Sequence, residues 1–227
     1  LKFAAIGFDL DGTLYPPYRL NVRLIPFLLK EQRLLRALGR VRIRMREEDL
    51  SSEQGREDFY HDQARLMAQI LGDPPEAVQE KVERLIYRGW EHHFKHIRLF
   101  PHVRETLGAL KNRGCKLGLL SDFPPEQKLL NLGLGGLWDA VLSSEWTGSL
   151  KPAPAPFLEL ARRMGSRPDD LLYVGNSVSY DVAGARNAGM KTALIRFKWK
   201  GLKKKERIFD PDFVFNDYRQ LLNFVTG

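Results

Sequence analysis

At 227 residues with 43% apolar content, the chain can bury one substantial core, or one core with a smaller accessory domain. No apolar run approaches the roughly 20 residues that cross a bilayer, so no membrane partner is expected. A single cysteine, Cys115, rules out an intramolecular disulfide and points to a reducing, cytoplasmic setting. The formal net charge is +8, and the basic residues are uneven: nine Lys or Arg against one Glu over 19–46, and eight against one over 191–207. Such runs can steer anionic ligands towards a cleft or form solvated surface, and the second reading is the blander one. No zinc-finger spacing, aromatic RNA-binding signature or dimeric DNA-binding pattern accompanies the charge, so nucleic acid is not the expected partner.

In chain order, FAAIGF over 3–8 is an apolar run suited to a buried strand, broken by Asp9. An acidic residue so soon after it reads as strand rather than secretory leader. Ile25, Leu28 and Leu29, then Leu34, Leu35 and Leu38, predict a basic amphipathic helix. Phe59, Ala64, Leu66, Met67, Ile70 and Leu71 predict a second, ending at Gly72. Val78, Val82, Leu85 and Ile86, after Pro74 and Pro75, predict a third. Residues 18–98 are therefore expected to form a packed helical cap, inserted into a core made of 1–17 and 99–227. Such an insert can lie over the carboxyl ends of the strands, where ligands bind in open α/β sheets.

Pro101 opens a further helix through Val103, Leu107 and Leu110, which Gly114 can end. Strand candidates then follow at Lys116–Leu120, Ala140–Leu142, Leu171–Val174, Thr192–Ile195 and Phe213–Phe215. Helical stripes separate them: Leu129, Leu130 and Leu132 after Pro124 and Pro125, and Phe157, Leu158, Ala161 and Met164. Alternation of this kind predicts an α/β fold with a mostly parallel sheet covered on both faces.

The chemistry-bearing residues fall where predicted strands end. Asp9-Leu10-Asp11-Gly12-Thr13 places two carboxylates two positions apart, and Gly12 supplies the freedom to turn both towards one site. One carboxylate can attack an electrophile while its neighbour moves protons; alternatively, the pair is an acidic turn capping the next element. Ser121 can donate to a phosphate oxygen or simply cap the following helix. Lys151 can neutralise carboxylates and a transferring group, or be an exposed loop lysine. Gly175-Asn176-Ser177-Val178-Ser179-Tyr180-Asp181 carries oxygen-bearing side chains suited to a hard cation such as magnesium, although Asp181 could also cap a helix.

Taken together, these motifs resemble the haloacid dehalogenase superfamily, in particular its phosphatase-like members with a helical cap inserted after the first motif. The first motif matches Asp9–Thr13, the second Ser121, the third Lys151-Pro152 and the fourth residues 173–190. The resemblance implies a Rossmann-like core, a small phosphorylated or otherwise anionic substrate, and a monomer or homodimer. It also implies that Asp9 attacks phosphorus to form an aspartyl-phosphate, while Asp11 protonates the leaving oxygen and then activates water. Ser121 and Lys151 would bind phosphate oxygens. Mg2+ would be held by Asp9, the backbone carbonyl of Asp11, Asn176 and Asp181.

Asn176 departs from the family, whose phosphatases carry aspartate there; the change removes one negative charge and is expected to weaken the cation site. Dehalogenation, phosphomutase activity and a noncatalytic binding or regulatory role are the alternatives. Dehalogenases of the superfamily do not usually keep an acid where Asp11 stands, so Asp11 favours phosphoryl transfer. His92, His93 and His96 have metal-like spacing, but WEHHFKHI reads as an ordinary amphipathic helix. Trp90, Phe94, Trp138, Trp146 and Phe157 read as packing groups. Tyr15 and Tyr18 are candidates to face the cleft.

Overall fold

Strand β1 (Ala5–Phe8) runs through the middle of a sheet with all four residues buried, as an apolar strand covered on both faces must be. The computed structural model describes residues 1–47, 56–196 and 210–227, with only the backbone for 56–58. Within them the sheet has the strand order β3-β2-β1-β4-β5-β6 and is parallel throughout. The other strands are β2 (Lys116–Ser121), β3 (Ala140–Ser143), β4 (Leu171–Gly175), β5 (Lys191–Ile195) and β6 (Phe213–Phe215). All six fall where the alternating pattern predicts them. The chain steps from β1 outward to β2 and β3, then returns to β4 on the far side of β1. That reversal opens a crevice at the carboxyl ends of β1 and β4.

Period-two alternation sends side chains of each strand to opposite faces. Ile6, Phe8, Leu117, Leu119, Leu172 and Val174 join one apolar cluster. It is closed by Val103, Leu107 and Leu110 of α5 (Val103–Asn112) and by Tyr218, Leu221 and Val225 of α9 (Tyr218–Thr226). Ala5, Leu120, Leu171 and Tyr173 form the other face, against Phe157, Leu160 and Ala161 of α7 (Pro154–Arg163). The Phe157 ring meets Tyr173 edge-on with centroids 4.8 Å apart. Truncating fully buried Leu160 to alanine there would cost about 2–5 kcal/mol.

Between β1 and β2 the chain inserts α1 (Pro17–Lys30), α2 (Gln32–Glu47), α3 (Arg56–Leu71) and α4 (Pro75–Val82). The single basic helix expected here is two helices, divided at Glu31, whose N–H still closes on Phe27. The apolar face also differs from the expected stripe. Ile25 and Leu29 are exposed, and α1 instead buries Leu20 and Leu24 against the sheet's own cluster. Leu28 and Leu29 are adjacent, so a helix cannot bury both on one narrow face. From Leu34 to Ile86 the insertion has a separate cluster, centred on Leu38, Val41, Phe59, Met67, Val78 and Val82. Ile70, Leu130 and Leu158, also read as core, are exposed.

After α4 the chain continues in a wider turn over Glu83–Tyr87, and WEHHFKHI forms a 3-10 turn over Glu91–His96 rather than an α-helix. Phe94 anchors that turn in the core, edge-on to Tyr15. Trp90 and Trp138 pack against aromatic rings, as expected. The second basic run, 191–207, lies mostly outside the described residues.

Candidate active site

β1 delivers Asp9 to the crevice still tied to the sheet, since its N–H donates to Val174 O at 2.9 Å. The chain then turns: Leu14 N–H returns to Leu10 O at 3.0 Å, and Gly12 adopts φ +92°. Glycine suits the position, because this is left-handed backbone and a Cβ would overlap the Asn176 amide and crowd Pro17. The tight turn brings Asp9 and Asp11 to one pocket of about 200 Å³, lined also by Asp122, Phe123, Lys151, Asn176, Ser177, Tyr180 and Asp181. Gly175 serves the same close packing at the end of β4, where a Cβ would overlap Asp181.

Lys151 is the hub. Its Nζ lies 2.7 Å from Asp9 Oδ1 and 2.7 Å from Asp181 Oδ1, with Tyr173 Oη at 3.4 Å. Burial alone would push this ammonium down, but Asp181 and Asp9 outweigh it and hold Lys151 well above the usual lysine value. It is therefore a fixed positive charge, not the exposed loop lysine of the blander reading. Asp9 accepts Thr13 Oγ1–H at 2.7 Å on its other oxygen. Burial, helped by Asp181 and Asp11, pushes the Asp9 carboxyl up to about 7 against the pull of Lys151.

Asp181 is locked by its own loop, accepting N–H bonds from Asn176 at 3.1 Å and Ser177 at 3.0 Å. It is thus more than a helix cap; Ser177 fills that role by accepting the Tyr180 N–H. Asn176 turns its side-chain NH2 to the Asp11 carbonyl at 3.3 Å. Asp11 accepts from Tyr15 Oη on one oxygen and from Lys128 Nζ, 3.2 Å away, on the other. Burial, then the charge of Asp11, raises the Tyr15 hydroxyl well above its ordinary value, so it stays a donor. Tyr18, by contrast, is 61% exposed. Ser121 is fully buried, accepts the Phe123 N–H at 3.3 Å and retains one hydroxyl proton to donate.

The chain supplies four further residues that motif reading did not single out. Asp122, beside Ser121, accepts Ser144 Oγ–H at 2.6 Å and the Lys151 N–H at 3.3 Å. Arg46 of α2 reaches Asp122 Oδ2 at 2.7 Å and Lys151 O at 2.8 Å, and its guanidinium covers the Tyr180 ring. One turn earlier, Arg42 pairs with buried Glu145 at 2.7 Å and donates to Asp122 O at 2.5 Å. Two members of the basic run are therefore interior contacts rather than solvated charge, while Arg36, Arg40 and Arg44 stay exposed. The i, i+4 spacing of Arg42 and Arg46 was the available signal. Lys128 of α6 (Glu126–Asn131) left none, because a lysine in a short polar helix reads as surface.

For a cation, the pocket offers the carboxylates of Asp9 and Asp181, the Asp11 carbonyl and the Asn176 side-chain oxygen. These hard oxygen donors fit magnesium. Among the described residues no group of three or more His, Cys, Asp or Glu side chains has metal-binding geometry, His92, His93 and His96 included. The Asn176 amide must also turn over before its oxygen, rather than its NH2, faces the Asp11 carbonyl.

Known proteins resemble this chain over nearly its whole length. The glyceraldehyde 3-phosphate phosphatase of Methanopyrus kandleri is 30% identical over 97% of this chain and 96% of its own. A HAD phosphatase from Thermococcus onnurineus superposes with a TM-score of 0.64 at 28% identity, covering 98% of each chain. A 2-haloacid dehalogenase from Pseudomonas syringae does so at 0.65 and 25% identity, covering 97% of each. Residues 3–189 match the family of haloacid dehalogenase-like hydrolases. The chain belongs to that family and is a hydrolase.

Proposed function

We propose that the protein is a magnesium-dependent phosphomonoester hydrolase for a small phosphorylated metabolite, working through an aspartyl-phosphate on Asp9. The observation that carries this reading is the Lys151 ammonium, 2.7 Å from both Asp9 and Asp181, with Asp11 turned into the same pocket. Asp9 Oδ1 attacks phosphorus and the bond to the ester oxygen breaks, its electron pair leaving with that oxygen. Asp11 gives the departing oxygen a proton, then takes one from the water that cleaves the acyl phosphate. Lys151 and Ser121 hold phosphoryl oxygens, and the fixed ammonium offsets charge that would otherwise repel the substrate.

Magnesium, bound by Asp9, Asp181, the Asp11 carbonyl and Asn176, would supply Lewis-acid polarisation and alignment of the phosphoryl group. Residues 18–98 act as a cap, and Arg42 and Arg46 bridge it to the strand ends. Phosphoryl transfer is favoured over dehalogenation because an alkoxide leaving group needs a proton donor, the role proposed for Asp11, whereas a halide leaves without one.

A screen of phosphorylated metabolites with magnesium, and with the metal chelated, tests this reading. Asp9→Asn is expected to lower turnover at least about a thousandfold. Magnesium-independent release of phosphate, or full turnover by that variant, would overturn it. Asn176→Asp should restore one ligand charge and tighten magnesium binding, read by titration calorimetry. Equal affinity would remove the electrostatic cost assigned to Asn176.

A further inference from the structure

The catalytic reading leaves one buried cation at the site without a role. Lys128 is 7% exposed, with Nζ 3.2 Å from Asp11 Oδ2. The rings of Phe94 and Phe123 flank its ammonium, each 5.3 Å from it by centroid. Phe123 itself lines the pocket with Asp9 and Asp11. Helix α6 is fixed against the Glu91–His96 turn by the Asn131 side chain, which donates to Glu91 O at 2.6 Å. The ammonium is therefore held against two residues of the pocket lining, Asp11 and Phe123, although it does not itself line the pocket.

An ammonium has three N–H donors. Among the described residues its one hydrogen-bond partner is Asp11. Ring faces attract the charge but do not replace a carboxylate or phosphate acceptor. The other cations nearby are directed elsewhere: Lys151 to Asp9 and Asp181, Arg42 to Glu145, and Arg46 to Asp122.

We infer that Lys128 reads the leaving group, selecting phosphate esters whose leaving group carries its own anion, a carboxylate or a second phosphate, close to the ester oxygen. This rests on the phosphatase reading and names the substrate class for it. For Asp11 to protonate the leaving oxygen, that oxygen must lie about 3 Å from the carboxyl. Lys128 Nζ, 3.2 Å from the same carboxyl, is then within about 6 Å of the ester oxygen. An anionic group one carbon beyond that oxygen falls within reach. A role confined to positioning Asp11 would affect all substrates alike, whereas a leaving-group reader affects anionic ones selectively.

The test uses a matched pair, 2-phosphoglycolate and glycolaldehyde phosphate, which differ by carboxylate against aldehyde. Steady-state kcat and KM are measured with magnesium for the full chain, Lys128→Met and Lys128→Arg. Methionine keeps an unbranched stem between the rings and removes the charge; arginine keeps the charge. In Lys128→Met the ratio of kcat/KM for 2-phosphoglycolate to that for glycolaldehyde phosphate should fall about 10- to 100-fold, mainly through KM. Lys128→Arg should retain a ratio above that of the methionine variant. An unchanged ratio in Lys128→Met, whatever the absolute rates, overturns the inference and leaves Lys128 as a positioning residue for Asp11. Titration calorimetry of both compounds on Asp9→Asn, with and without Lys128→Met, separates this from the catalytic reading. If the native protein hydrolyses neither compound, the phosphatase reading fails for them, yet binding still decides. A preference for the carboxylate lost with Lys128 supports the inference, and equal binding to both compounds overturns it.

Discussion

Asp9, Asp11 and Asp181 meet two lysines at the strand ends, whereas Glu145 meets one arginine, two tyrosines and a serine where the helical insertion touches the core. Both regions bury charge, but they balance it differently. Glu145 Oε1 accepts from Arg42 at 2.7 Å and Tyr87 at 2.8 Å, while Oε2 accepts from Tyr60 at 3.0 Å and Ser143 at 3.5 Å. Burial pushes this carboxyl up, and Arg42, Tyr87 and Tyr60 pull against it. The strand-end cluster instead has three carboxylates around two ammonium groups, with open pocket beside them. A satisfied ionic group fixes a geometry. An unbalanced one, facing a cavity, is ready for a further charged participant.

The sharpest way to break this contrast is Lys151→Met. It strips the cation from two carboxylates, so turnover should fall about 10²- to 10³-fold. Denaturant titration should show a loss of about 3–5 kcal/mol, because buried charge is left unpaired. Undiminished turnover would mean that the hub is structural alone.

Glu145→Gln is the matching test of the other region. It leaves Arg42 buried without its counter-charge and should cost about 3–5 kcal/mol in the same titration. The double variant Arg42→Met/Glu145→Leu should recover most of that loss, since an apolar pair needs no compensation for desolvation. A double variant no more stable than the single one would show that the tyrosines and Gln63, rather than the ion pair, set the energy.

Asp122 joins the two regions and should give the smallest effect. Burial alone would raise its carboxyl, but Lys151, Arg46, Arg42 and the Ser144 hydroxyl outweigh it and hold Asp122 below the usual value. A depressed carboxyl adds stability above its unfolded pKa of about 3.9, and that contribution is lost as pH falls through the folded value. Asp122→Asn should therefore cost about 1–3 kcal/mol at pH 7, and progressively less as the native protein is acidified below about pH 4. Thermal melts of both proteins across that range check it, and an equal difference at every pH would contradict the ionic explanation.

The strands were legible because a parallel sheet covered on both faces demands short continuous apolar runs, and AIGF, LGLL and LLYV are such runs. The motif residues were legible because they sit where those runs stop. Helix faces were read less well. Ile25 and Leu29 scan as core by spacing, yet α1 buries Leu20 and Leu24, because the sheet it lies against decides which stripe turns inward. Arg42 and Arg46 scan as solvated charge, and become interior only when β2 and the Ser144 turn bring Asp122 and Glu145 to α2. The solvated-surface reading thus holds for Arg36, Arg40 and Arg44 and fails for Arg42 and Arg46.

By itself, the amino-acid sequence determined the sheet, the order in which its carboxyl ends present Asp9, Asp11, Ser121, Lys151 and Asp181, and the family to which the chain belongs. Those features depend on local periodicity and on residues adjacent to each strand. The tertiary structure decided the pairing of charges: Lys151 between Asp9 and Asp181, Arg42 on Glu145, and Lys128 on Asp11 across 117 positions of chain. Such contacts are fixed by packing between distant elements, and an ammonium in a six-residue helix carries no local sign of the carboxylate it will meet.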